Sequence, residues 1–128
     1  MSGDRGQALV LAVLALGLAA ATIVGLQAAQ DRIFEDAHER RAGEAAVEAA
    51  GAALADALLG FKGPLDAFAA DPLVVERARA AADELSASNG GTTVRDLTIT
   101  PSAGDLEVGL SVGAHRQRAA IETTCCRP

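Results

Sequence analysis

The sequence predicts an α+β chain. A single N-terminal transmembrane helix continues into an Ala-rich helix; a second helix and a small antiparallel β-meander of about three strands follow. Three observations predict this. Residues 6–30 contain no Asp, Glu, Lys or Arg. Residues 27–59 contain no proline and are rich in Ala, Glu and Arg, all good helix formers. Leu106, Val108, Leu110 and Val112 alternate with Glu107, Gly109, Ser111 and Gly113, the period of a strand with one buried face. The expected segments are a cytoplasmic tail (1–7), a transmembrane helix (8–27), an Ala-rich stalk helix (28–60), a connector with the second helix (61–91), and the meander with a C-terminal tail (92–128).

Residues 8–26 are nearly all Ala, Leu, Val, Ile or Gly. A bilayer core needs roughly 20 such residues in a helix, because only a helix satisfies every backbone N–H and C=O from its own segment. The six Leu, three Val and one Ile of residues 6–30 are together worth roughly −3 to −6 kcal/mol on insertion, partly offset by Ala, Gly and Thr22. A cleaved signal peptide is the alternative, with Ala19-Ala20-Ala21 as its small-residue site. A retained anchor is favoured, because the apolar run continues past that site to Leu26 and Asp4 cancels Arg5 in the leading segment. Charge does not set the orientation. Arg5 stands on one side and Arg32, Arg40 and Arg41 on the other, a count that leans against placing the C-terminal region outside.

After the anchor, Arg32–Asp36 and Asp36–Arg40 are opposite-charge i,i+4 pairs, whereas Asp31–Glu35 and Glu35–Glu39 repel. Val47, Ala50, Leu54 and Leu58 share one helical face, and Glu44, Glu48 and Asp56 another. Gly43 and Gly51 weaken this helix or admit a close neighbour. Gly60-Phe61-Lys62-Gly63-Pro64 ends it. Asp71-Pro72 reads as an N-cap followed by Pro at the first helical position. Val74, Ala78, Ala81, Ala82 and Leu85 then form an apolar stripe, Glu76, Arg79 and Asp83 the wet face, and Asn89-Gly90-Gly91 the stop. The two stripes can pack as a helical hairpin, with Leu65 and Phe68 of the connector covering its end.

Residues 92–100 are rich in β-branched residues and read as the first strand, with a turn at Ser102-Ala103-Gly104-Asp105. The alternating run is the second strand. Residues 118–124 are the third, with Ala119, Ile121 and Thr123 on one face. The apolar face of the meander must be covered, and the Ala-rich helices are the available cover.

The net charge is −6, spread along the chain, and there are three Phe but no Tyr or Trp. Clustered cations and stacking aromatics, the features that bind nucleic acid, are missing. No small-molecule substrate is evident, no cofactor or metal is expected, and no catalytic residues are nominated. Glu35 and His38 have the i,i+3 spacing of di-metal bundles, but such sites need several matching helices. His115 reads as part of a strand-end loop, and Gly90-Gly91 lacks the rest of a phosphate-loop pattern. Cys125 and Cys126 are adjacent and near the end of the chain. They read as a possible disulfide or cross-link to another chain, set against two exposed residues on a frayed end. Gly17 and Gly25 are eight residues apart, so no GxxxG packing motif is present.

Arg5-Gly6-Gln7-Ala8-Leu9-Val10, followed by an apolar helix and an Ala-rich stretch at residues 44–59, resembles the TadE/TadG-like proteins of tight-adherence (Flp) pilus systems. These bacterial and archaeal proteins begin with a short polar segment, then one membrane helix, an Ala-rich helix and short strands. The resemblance implies a pilin-like or accessory component of a pilus or secretion system. Such a protein would sit single-pass in the cytoplasmic membrane with its C-terminal region outside, and its partners would be the membrane and other pilus subunits. It also implies prepilin-type processing between Gly6 and Gln7. The fifth residue after that cut is Leu11, where many pilin-like proteins carry a Glu that pairs with a neighbour's N-terminus. Leu11 therefore points to the TadG-like branch or an accessory role. The alternative from a different class is a small secreted or envelope-attached binding protein with a cleaved signal peptide.

Overall fold

The structure, a computed structural model, describes residues 3–123. Helix α1 is Gly3–Leu59, α2 is Leu65–Ala69 and α3 is Pro72–Ser88. Strands β1 (Arg95–Ser102), β2 (Asp105–Val112) and β3 (His115–Glu122) follow. The expected α+β order is present, with one unexpected short helix. The chain divides into two units, one ending at Asp36 and one beginning at Ala37, and α1 contributes to both.

In the first unit the apolar run is helical throughout. Its large side chains, from Leu9 at 68% to Leu26 at 62%, are all exposed. The one hydroxyl in the run is satisfied locally: Thr22 Oγ1 lies 3.0 Å from the Leu18 carbonyl and 2.8 Å from that of Ala19, and donates back into the helix.

In the second unit, hereafter the head, Ala42, Ala46, Val47, Ala50 and Leu54 of α1 are buried. This part of the expected stalk is therefore a wall of the core. Alanine suits the position because α1 lies close against β2 and β3. A Cβ on Gly43 would stand 3.0 Å from Gln117 Cγ, and one on Gly51 would stand 3.9 Å from Ile121. The sheet order is β1-β2-β3, antiparallel throughout. Leu106, Val108, Leu110 and Val112 form the fully buried row of β2, as the alternation requires.

Helix α1 stops at Leu59, before Gly60. Phe61 and the fully buried Phe68 then meet edge to face, ring centroids 5.1 Å apart. Phe68 sits on α2, where only a connector was expected. Asp71 caps α3 by accepting a 2.9 Å hydrogen bond from the Leu73 amide, and Pro72 follows in the first turn. Asn89 and Gly90, the latter at φ 75°, end it.

Several expectations shift. On α3 the buried residues are Ala78, Ala82 and Ser86, whereas Leu85 is 38% exposed. Ser86 is tolerated inside because its hydroxyl donates to the Thr92 carbonyl at 2.7 Å. The first strand starts at Arg95 rather than Thr92, because the preceding backbone is held elsewhere. Val94 N–H donates to Asp83 Oδ1 at 2.7 Å, and the Val94 carbonyl accepts from Arg79 Nη1 at 3.4 Å. Arg79 and Asp83 thus brace a buried valine instead of serving only as a wet face. The β1–β2 loop is Ala103-Gly104, with φ 47° and 97°, so Ser102 and Asp105 are paired strand ends. The third strand starts at His115, three residues earlier than expected. The two-residue loop Gly113-Ala114 brings His115 directly opposite Val112, so His115 opens β3 and does not lie in a loop.

Candidate functional surfaces

Three surfaces come from this architecture. The first is the side of α1 in the unit ending at Asp36. One helix here is long and apolar enough to cross a bilayer, and none of its apolar window is buried in the protein. Gly6 and Gln7, the expected processing pair, are exposed on this helix, and nothing would obstruct a Cβ at Gly6. Leu11 is 63% exposed. Beyond the apolar run, Ile33 and Phe34 are also exposed, at 66% and 64%, among Asp31, Arg32, Glu35 and Asp36.

The second surface is the outer face of the sheet. Cross-strand register sets Arg95, Ser111 and Arg116 in one row, then Thr98, Gly109 and Arg118, then Thr100, Glu107 and Ala120. The Arg118 guanidinium pairs with Glu107 at 3.4 Å; the arginine side chain is exposed and the glutamate about half exposed. Such exposed pairs are worth at most about 1 kcal/mol. A Cβ at Gly109, in the middle row, would stand 2.8 Å from Thr98 Oγ1, so a larger residue there must displace that hydroxyl.

The third is a cleft of about 320 Å³ where the end of α1 meets α2 and α3. Phe61, Phe68 and Val74 line it, with Asp71 and Arg77 also in its wall. At the other end of the head, Glu39 accepts a 3.4 Å hydrogen bond from the Ala114 amide, which ties the β2–β3 loop to α1.

Glu35 and His38 are exposed. Among the described residues, no group of three or more His, Cys, Asp or Glu is placed to hold a metal ion. Cys125 and Cys126 lie outside the described residues. Sequence reasoning missed the burial of Ser86, the hydrogen bonds of Arg79 and Asp83 to Val94, and the exposed Ile33-Phe34 pair. The pair was detectable as two large apolar residues inside a charged segment. Comparison with family models, curated proteins and solved structures finds no match to this chain.

Proposed function

We propose that this chain is a single-pass, membrane-anchored TadE/TadG-like protein, a pilin-like or accessory component of a tight-adherence (Flp-type) pilus or secretion system. The observation that carries the reading is the polar string Arg5-Gly6-Gln7 opening a helix whose large apolar side chains from Leu9 to Leu26 are all exposed. Exposed leucines at this density are unfavourable in water and favourable in lipid. In this reading the helix holds the chain in the cytoplasmic membrane. The head, outside the cytoplasm, makes the protein–protein contacts. Leu11 offers no carboxylate to a neighbouring N-terminus, which favours an accessory role over that of the main filament subunit.

The test is the N-terminus and location of the protein in its native host, combined with a count of surface filaments after deletion of the gene. A membrane-bound chain starting at Met1 or Gln7, with filaments lost on deletion and restored by the intact gene, is the expected result. A chain starting at Thr22 and recovered outside the membrane overturns the reading. The small-residue run Ala19-Ala20-Ala21 supports that second possibility, a secreted binding protein released by signal peptidase.

A further inference from the structure

We propose that the β2–β3 end of the sheet rests on anionic phospholipid headgroups of the membrane that holds the anchor, through Arg95 and Arg116. The inference rests on the retained anchor and adds a second, electrostatic hold on the same membrane.

The outer face of the sheet is divided by charge. Counted from the β2–β3 loop, its first two rows hold Arg95, Arg116 and Arg118. The next two, through Thr100 and Ser102, hold Glu107, Asp105 and Glu122. Asp96, in the irregular stretch of β1 between the first two rows, brings that half to +2, against −3 for the other. Arg118 is engaged by Glu107 across the boundary, so Arg95 and Arg116 carry the cationic half. They flank Ser111 in one row, which puts their backbones about 10 Å apart, two strand spacings. Arg95 Nη2 donates to the Gly113 carbonyl at 2.7 Å, which holds this guanidinium at the loop. A guanidinium is a five-donor fork matched to phosphate, so one such bond leaves most of its donors for a ligand. Arg116 is exposed and engaged by no other side chain among the described residues. Two arginine forks flanking a serine hydroxyl suit a phosphodiester.

Distance selects which phosphodiester. The Ala114 amide donates to Glu39 at 3.4 Å, so the arginine row lies at the end of the head where α1 enters it. Glu39 is nine residues past Gln30, the last residue of the charge-free run. At 1.5 Å per residue that is about 14 Å of helix, and the headgroup layer takes up about 5–8 Å of it. The remainder is within the roughly 10 Å over which surface charge acts at 0.1 M salt, and the arginine stems extend across part of it. The carboxylate rows lie toward the β1–β2 loop, at the opposite end of the strands. An anionic bilayer attracts the first half and repels the second, so the charge division favours the arginine end against the lipid.

The test is fluorescence quenching on the full chain, carrying Cys125→Ser and Cys126→Ser, in vesicles doped with a lipid that bears a nitroxide on its headgroup. A bimane is attached at Ala114→Cys in the β2–β3 loop or, as the control, at Ser102→Cys at the far end. Quenching at position 114 should be several-fold stronger in phosphatidylcholine–phosphatidylglycerol vesicles than in phosphatidylcholine alone, and should fall in 0.5 M salt, whereas position 102 should show neither effect. Arg116→Gln should reduce the phosphatidylglycerol effect, and Arg95→Gln with Arg116→Gln should abolish it. Arg116 holds no partner in the head, so the single variant tests the contact without disturbing the fold, and its unchanged urea midpoint checks this. Quenching at position 114 that ignores phosphatidylglycerol or Arg116→Gln, in a chain that stays in the vesicles, overturns the docking and leaves the anchor intact. A chain of full mass that does not stay in the vesicles overturns the anchor reading and the docking with it.

Discussion

Two stretches of α1 reverse the ordinary rule of burial. Between Leu9 and Leu26 the helix exposes leucine, valine and isoleucine on every side. Between Ala42 and Leu54 it buries mostly alanine, at 0% exposure for Ala42, Ala46 and Ala50. The difference lies in what surrounds each stretch. In the head, α1 must come close to β2 and β3, and short side chains set that distance. Gly43 lies beside Gln117 and Val112, so bulk there would push the helix off the sheet. In the apolar run nothing in the protein sets a distance, so bulk is free to serve insertion into lipid.

The sharpest way to break this contrast is a matched pair of truncations. Leu54 is fully buried in the head core, and Leu14 is 63% exposed in the run. Leu54→Ala should cost the head about 2–5 kcal/mol, through lost transfer energy and the cavity left behind. Leu14→Ala should leave the urea midpoint of the head unchanged. Measured on the full chain in detergent micelles, equal shifts for the two variants would refute the contrast.

The same contrast explains what the sequence made legible. The β2 alternation, the Asp71-Pro72 cap and the Gly60 stop are local signals, and each appears where local chemistry puts it. Helix α2 was not legible, because five residues are too few to display a helical period. Leu85 and Ser86 exchanged roles for a non-local reason: the Thr92 carbonyl gives the Ser86 hydroxyl a partner six residues away. The bracing of Val94 by Arg79 and Asp83 is likewise invisible until the chain turns back on itself. Among the surfaces, the apolar run could be read directly. The rows of the outer sheet face needed the register, which the two-residue loops determine.

Adding bulk probes the contrast from the other side, with a smaller effect. Ala46 is fully buried, whereas Ala20 is exposed in the run. Ala46→Leu should destabilise the head by about 1–3 kcal/mol, because an overpacked core must move α1 or force strained rotamers. Ala20→Leu should leave the head unchanged and make membrane retention no weaker. If both variants unfold like the parent, the close approach of α1 to the sheet is not what the alanines provide.

The glycines of α1 give the smallest and finest division. A Cβ at Gly51 would meet Ile121 at 3.9 Å, an ordinary contact, so Gly51→Ala brings only the better helix propensity of alanine. It should stabilise the head by up to about 1 kcal/mol, read as a higher urea midpoint. A Cβ at Gly43 would stand 3.0 Å from Gln117 Cγ, so that side chain must shift before the same gain is realised. Gly43→Ala should therefore stabilise less than Gly51→Ala, or destabilise slightly. At Gly17 nothing lies within 4 Å, and the substitution should not move the midpoint of the head at all. The order Gly51 above Gly43, with Gly17 silent, follows if packing against the sheet begins within the head. A change at Gly17 as large as that at Gly51 would mean that the apolar run and the head unfold as one unit.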